Sequence, residues 1–248
     1  MESMDPGAGA RTRASAEQAL AAPRASLFGL AREASGFLEL PQLLFRTPDL
    51  LTEPRGEGAS VFVLPGFGAD GRSTWPLRRY LAALGHDARD WGFGANRGAV
   101  PESVEAMGER VRDVARETGR PVALVGWSLG GYIAREVARD WPDETRRVVT
   151  FGSPVIGGPK YTTAAPFFAT RGWDLDEIEA EVARRKEVPL RVPTTAIYSR
   201  NDGIVDWRAC IDDEAGGPIE HVEVEATHLG LGFSADVFRL VARRLADA

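Results

Sequence analysis

From residue 59 onward the chain alternates short apolar runs with segments of helical periodicity. "ASVFVLPG" (59–66) reads as a buried strand, "STWPLRRYLAALG" (73–85) as a helix closed by Gly85, and "HDARDWGF" (86–93) as a weaker strand. "VPESVEAMGERVRDVARETG" (100–119) is a helix with Pro101 near its first turn and Gly119 after its last. "PVALVGW" (121–127) is the strongest strand, and "LGGYIAREVARDW" (129–141) is a helix stopped before Pro142. The series continues with a strand at 146–154 and an insertion at about 154–190. A strand at 192–199, a short helix at 206–214, a strand at 219–226 and a final helix at 234–247 complete it. Regular alternation without an internal repeat predicts an α/β fold: a doubly wound, mostly parallel sheet with helices on both faces. Such sheets place their chemistry at the carboxyl ends of the strands.

The 248 residues are enough for one well-buried core, so neither disulfides nor a structural metal is needed. A net charge of −6, with both signs interspersed, argues for solubility and against a nucleic-acid partner, which would need a basic patch. The single cysteine, Cys210, has no intramolecular disulfide partner, and its expected role is structural. No apolar stretch is long enough to span a bilayer, and the N-terminus lacks the apolar core of a secretory signal. The expectation is a cytoplasmic protein, with transient contact to a lipid surface left open.

Three segments are expected: a disordered N-terminus (1–14), N-terminal helices packed on the core (15–58), and the main domain (59–248) with a short helical lid at about 154–190. "SAEQALAAP" (15–23) opens with a capping-box pattern, Ser15 to Gln18, and stops at Pro23. "ASLFGLAREASGFLELP" (25–41) has helical spacing and is expected to stop at Pro41. Packing on the core is the expected role for these helices, with substrate covering as the alternative.

The strand–turn–helix at 121–141 carries Gly126-Trp127-Ser128-Leu129-Gly130, the nucleophile-elbow pattern in its required context. A very tight turn holds such a serine in a strained conformation, and side chains two positions away would collide with neighbouring elements. The competing reading is a helix-capping serine in a Gly-rich turn. A serine hydroxyl needs a base, and the chain offers three histidines. His86 begins a strand, His221 lies inside one, and His228 in "ATHLGLGF" (226–233) follows the last strand at the carboxyl edge. His228 is therefore the candidate base. The acid that orients it is sought in "YSRNDGIVDW" (198–207): Asp202 follows the strand closely, whereas Asp206 suits a helix cap. Oxyanion donors are expected at the backbone N–H groups of Leu129 and of Phe67, the latter in "LPGFGADG" (64–71).

GWSLGG, SRNDGIVDW, THLGLG and the PGFG loop resemble the alpha/beta-hydrolase superfamily, and within it bacterial esterase/lipase-type members. The resemblance covers about residues 59–247. It implies a Ser-His-Asp hydrolase with an acyl-enzyme intermediate and no cofactor. Two features depart from the pattern: Pro65-Gly66 stands where many relatives have His-Gly, and helices replace the first two strands of the full fold. "WGFGANRG" (91–98) is similar to a stretch in such hydrolases, which implies that Asn96 and Arg97 organise the loop below the site.

The Gly-rich "PGFGADG" lacks both G-x-G-x-x-G and a Gly-Lys-Ser/Thr ending, so nucleotide binding is not expected. No His/Cys/carboxylate cluster has metal-ligand spacing. The charged run 174–187 reads as a solvated lid helix supported by i,i+4 pairs. Trp127, Ile156, Tyr161, Phe167, Phe168 and Trp173 are candidate walls of an apolar acyl pocket, or ordinary core. The expected activity is hydrolysis of small-molecule or lipid-like carboxylic esters. Acyl transfer, thioester or amide cleavage use the same triad, and a non-catalytic binding protein on this fold is the rival from another class.

Overall fold

A computed structural model of the protein describes residues 32–212 and 217–247. The expected N-terminal disorder and the helix at 15–23 lie outside the described residues.

Six strands form one sheet in the order β2-β1-β3-β4-β5-β6. They are β1 (Ser60–Leu64), β2 (Asp87–Asp90), β3 (Val122–Trp127), β4 (Thr145–Phe151), β5 (Thr194–Tyr198) and β6 (Ile219–Glu223). Every neighbouring pair is parallel. β1 and β3 are buried along their full length, which is why they read as near-continuous apolar runs rather than alternating ones. The edge strands are more polar: β2 is "DARD" and β6 is "IEHVE", half-buried to exposed, which blunts the sheet edges against pairing with other chains.

The helices are α1 (Glu39–Leu50), α2 (Trp75–Ala83), α3 (Val100–Thr118), α4 (Leu129–Asp140), α5 (Ala165–Thr170), α6 (Leu175–Arg185), α7 (His228–Leu231) and α8 (Ala235–Ala246). The two-residue period of the strands sorts them into layers. Val61, Val63, Val125, Val149 and Ile197 face α1, α2 and α8, where Leu43, Leu50, Leu81, Phe238 and Val241 are buried. Phe62, Leu64, Leu124 and Val148 face α3 and α4, where Met107, Val111, Ile133 and Val137 are buried. The sheet is thus covered on both faces, as the strand and helix periods predict.

Three expectations need correction. The helix at 25–41 does not stop at Pro41. After a 3₁₀ turn at Ser35–Leu38, α1 runs from Glu39 to Leu50 and contains Pro41. Pro41 sits in the first turn, where its missing N–H is one that a helix leaves unpaired anyway. The short helix at 206–214 contracts to a 3₁₀ turn, Trp207–Cys210. The charged helix α6 is not held mainly by i,i+4 pairs of its own. Asp174 caps it by accepting from Asp176 and Glu177 N–H, both at 3.0 Å. Arg185 then reaches across to Glu136 and Asp140 of α4, and Lys160 bonds Asp176 and Glu179.

Candidate active site

The loops after β1, β3, β5 and β6 meet at the carboxyl edge of the sheet, and each delivers one part of the site. Ser128 lies between β3 and α4 with φ 54° and ψ −125°. Among the described residues, it shares positive φ with Glu57 alone of the non-glycines. An L-residue pays for that conformation in strain, and it persists here because its surroundings over-determine it. Ser128 N–H donates to Phe151 O at 2.9 Å, and its own carbonyl accepts from Gly131 N–H at 2.9 Å. The flanking glycines are sterically required. A Cβ on Gly126 would overlap the backbone of Gly130 and Gly131, and one on Gly130 would overlap the carbonyls of Leu64 and Pro65. The Ser128 hydroxyl makes no capping bond to α4, so the capping reading is not what the geometry supports.

His228 opens α7, whose N-cap Thr227 accepts from Gly230 N–H at 3.1 Å. Its Nδ1 lies 2.6 Å from Asp202 Oδ2, and both residues are buried. The other Asp202 oxygen accepts from Ile204 N–H at 2.9 Å and Val205 N–H at 2.8 Å, which locks the carboxylate in place. Asp206 instead caps the 3₁₀ turn by accepting from Arg208 N–H at 2.9 Å. Of the two aspartates, Asp202 is the one that meets His228. Burial works against a charged imidazolium at His228, but the Asp202 carboxylate, its hydrogen bond and Glu33 outweigh it, and the pKa lies above the ordinary value.

The other histidines are elsewhere. His221 Nε2 accepts from Asp212 N–H at 2.9 Å. His86 is buried just before β2, and neither ring nitrogen has a hydrogen-bond partner among the described residues. The Cys210 thiol is buried, and burial together with Asp202 and Asp206 pushes its pKa well up, away from reactive thiolate.

The loop after β1 closes over Ser128: a Cβ on Gly66 would stand 3.3 Å from Ser128 Cβ. Asn96 holds this loop. It is fully buried, donates from Nδ2 to Pro65 O at 2.9 Å and from its backbone to Ala69 O at 2.8 Å, and its carbonyl accepts from Gly68 N–H at 2.7 Å. Arg97 is exposed. Leu129 is the first residue of α4, where a backbone N–H has no acceptor within its own helix.

Ser128 and His228 line one cavity of about 580 Å³ together with Gly66, Phe67, Leu129 and Trp127. Of the expected pocket residues, Trp127, Phe168 and Trp173 line it, while Ile156, Tyr161 and Phe167 do not. Phe167 is largely exposed and meets Phe67 edge-on from outside, at 6.3 Å. Phe67 packs edge-on against Phe168 at 4.8 Å and near Trp173 at 6.4 Å, joining the loop after β1 to the segment between β4 and β5. Trp127 both lines the cavity and packs beneath it, stacked on Phe151 and 6.1 Å from the His228 ring.

Sequence reasoning missed Glu33. This buried carboxylate accepts from Gly203 N–H at 2.7 Å, His228 N–H at 3.2 Å and Leu229 N–H at 3.0 Å. It lies in an ordinary amphipathic segment, and no local motif marks it. Also missed was the buried ion network under α4. Arg135 is bidentate to Asp212 at 2.5 and 2.9 Å and bonds Glu136 at 2.6 Å.

A model of the alpha/beta hydrolase family matches residues 61–246. The chain belongs to this family. Among curated relatives, a pimeloyl-[acyl-carrier protein] methyl ester esterase of Aliivibrio salmonicida is 28% identical over 131 residues, covering 51% of this chain and 44% of the relative. A homologue from Aliivibrio fischeri is 26% identical over 132 residues, covering 51% and 45%. The chain thus matches less than half the length of these relatives. Among solved structures, the monoacylglycerol lipase of Paleococcus ferrophilus superposes with a TM-score of 0.56 at 16% identity, covering 79% of this hydrolase-family chain and 96% of the lipase. A thioesterase domain from the curacin biosynthetic pathway gives 0.52 at 15% identity, covering 78% and 93%. These likenesses establish the fold. Within the family match fall Phe67, Ser128, Leu129, Asp202 and His228, whereas Glu33 precedes it. Among the described residues no helix is long and apolar enough to cross a membrane.

Proposed function

We propose that the protein is a serine hydrolase that cleaves carboxylic esters of apolar acyl chains. The observation that carries this reading is the buried 2.6 Å contact between His228 and Asp202, placed on the same cavity as the positive-φ Ser128.

Asp202 holds His228 with Nδ1 protonated, which leaves Nε2 as the base. His228 takes the Ser128 proton as Oγ attacks the ester carbonyl. The carbonyl oxygen becomes an oxyanion, bound by the N–H groups of Leu129 and Phe67, each worth roughly 3 kcal/mol of barrier. The tetrahedral intermediate collapses, the C–O bond to the alcohol breaks, and His228 gives its proton to the departing oxygen. Water then attacks the acyl carbon as His228 takes its proton; the second tetrahedral intermediate collapses, the bond from the acyl carbon to Ser128 Oγ breaks, and His228 returns the proton to Oγ as the acid leaves.

The cavity supports the substrate class. Val100, Leu129, Phe168, Trp173, Ile178 and Val182 give it apolar walls, and its volume lies in the range of small-ligand pockets, about 300–1,000 Å³. The names of the relatives, a methyl ester esterase and a monoacylglycerol lipase, agree with ester chemistry on acyl chains.

The test is a series of p-nitrophenyl esters from acetate to long acyl, with acyl thioesters in parallel, on wild type and Ser128→Ala. We expect ester turnover with an optimum above acetate and only background rate in Ser128→Ala. Ester turnover retained by that variant removes Ser128 from the mechanism. Failure of a fluorophosphonate to label folded wild type removes the enzyme reading altogether.

A further inference from the structure

A triad of this kind is assembled from loops that are far apart in sequence. Asp202 stands on the loop after β5 and His228 on the loop after β6, so their 2.6 Å contact depends on the two loops keeping a fixed relation. Misplacement by about 1 Å costs on the order of 100-fold in rate. In this chain the fixing group comes from outside the segment that matches the family, which begins at residue 61.

We propose that Glu33 is a positioning residue of the active site: its carboxylate ties the acid loop to the base loop through three main-chain N–H groups. Oε1 accepts from Gly203, the neighbour of Asp202, and from His228 itself. Oε2 accepts from Leu229, the neighbour of His228. All three donors are amides beside the triad, and Glu33 is only 3% exposed. A buried amide such as that of His228 must find an acceptor, and one carboxylate can serve this and the two half-buried amides at once.

The surrounding contacts are made for this arrangement. A Cβ on Gly203 would come within 2.9 Å of Glu33 Oε1. Arg32 adds a second tie to the acid loop, donating to Asn201 O at 2.6 Å. The 3₁₀ turn that follows presses Gly36 against Thr227 and Gly230, leaving no room for a side chain. The segment is moored in turn by α1, whose Leu43 and Leu50 are buried against the sheet face. Leu50 O also accepts from the Tyr80 hydroxyl at 3.2 Å.

Glu33 also acts through its charge. Among the described residues, the charged groups facing His228 are Asp202, from the loop after β5, and Glu33, from the N-terminal segment; both favour its imidazolium. The nearby Trp127 ring and Ser128 are neutral.

This inference rests on the hydrolase reading above, and its test separates the two. Full-length Glu33→Gln and Glu33→Asp are compared with wild type by kcat, KM, the pH midpoint of kcat/KM, melting temperature and NMR titration of the His228 ring. For Glu33→Gln we expect kcat to fall by at least about tenfold, KM to stay within about twofold, and the midpoint and ring pKa both to move down. Glu33→Asp keeps the charge, so its midpoint should stay near wild type. Unchanged kcat and midpoint in Glu33→Gln overturn the proposal. So does a loss of kcat with the ring titration unmoved, and so does unfolding of both variants, which would make Glu33 an anchor of the fold alone. If wild type turns over no ester, the hydrolase reading fails, and the ring titration still decides whether Glu33 acts on His228.

Discussion

His228 Nδ1 and Asp202 Oδ2 stand 2.6 Å apart although 26 residues separate them in sequence, and both are buried. The remaining Asp202 oxygen is already taken by two backbone N–H groups. That leaves the aspartate one orientation and gives the imidazole one tautomer. Asp202→Asn keeps size and shape but presents an N–H or a weaker acceptor to Nδ1. Its kcat for p-nitrophenyl esters should drop by about 10⁴-fold, with the fold retained by circular dichroism. A drop below about tenfold in a folded variant would mean that another group orients His228.

The same contact sets the pH dependence. In the proposed mechanism the base must be neutral to accept the Ser128 proton, and Asp202 and Glu33 hold the His228 pKa above its ordinary value despite burial. The acidic limb of kcat/KM should therefore have its midpoint above the reference imidazole value of about 6.5. The linkage to folding has a definite sign. Because the folded pKa is raised, His228 adds stability that is fully present below about pH 6.5 and is lost as pH rises through the folded value. A rate that is flat from pH 5 to 8 excludes His228 as the base.

The buried charges under α4 predict a stability effect remote from catalysis. Burial alone raises the pKa of Glu136, but Arg135 and Arg139 outweigh it, so the carboxylate stays below its ordinary range. Arg135 is 1% exposed and bonds both Asp212 and Glu136. Replacing it by Met takes the bidentate partner from buried Asp212 and leaves Glu136 with Arg139 and Arg185 alone, at a cost of about 3–5 kcal/mol of unfolding free energy. Urea denaturation at pH 7 checks this. A loss under about 1 kcal/mol would show that the carboxylates find other partners or water.

The parts of the molecule legible in the sequence were those encoded locally. β1 and β3 are apolar runs, and Gly119 ends α3 in the left-handed conformation. The glycines around Ser128 are readable because a tight turn imposes them whatever lies nearby. His228 emerged by elimination among three histidines, and Asp202 by its distance from the end of β5. What escaped depends on partners remote in sequence. Glu33 meets amides some 170 to 196 residues away, and Arg135 meets Asp212 77 residues on. A helical charge in isolation looks like a solvated one. Pro41 is no stop because the 3₁₀ turn before it restarts the count and places it in the first turn of α1, where a proline costs no intrahelical hydrogen bond. The sequence leaves Ile156 and Phe167 between pocket wall and ordinary core, because an aromatic residue on a six-residue helix such as α5 can face either way, and Phe167 faces out.

His86 provides the opposite titration to His228. It is 6% exposed, and its two ring nitrogens have no hydrogen-bond partner among the described residues. Burial foremost, and the nearby Arg146 as well, hold its pKa below the ordinary value, so folding disfavours its protonation. The unfolded chain carries the normal imidazole and takes up a proton near pH 6.5, which the folded chain resists. Stability from this residue is thus present above about pH 6.5 and falls as pH drops below it, down to the folded value. Phe fills the same buried space without titrating. In His86→Phe the decline in unfolding free energy between pH 7 and pH 5 should be smaller than in wild type, whatever its stability at pH 7. Urea midpoints at the two pH values measure this, and His228 contributes equally to both proteins and cancels in the difference. An unchanged or steeper decline in the variant would mean that His86 already carries its proton in the folded state.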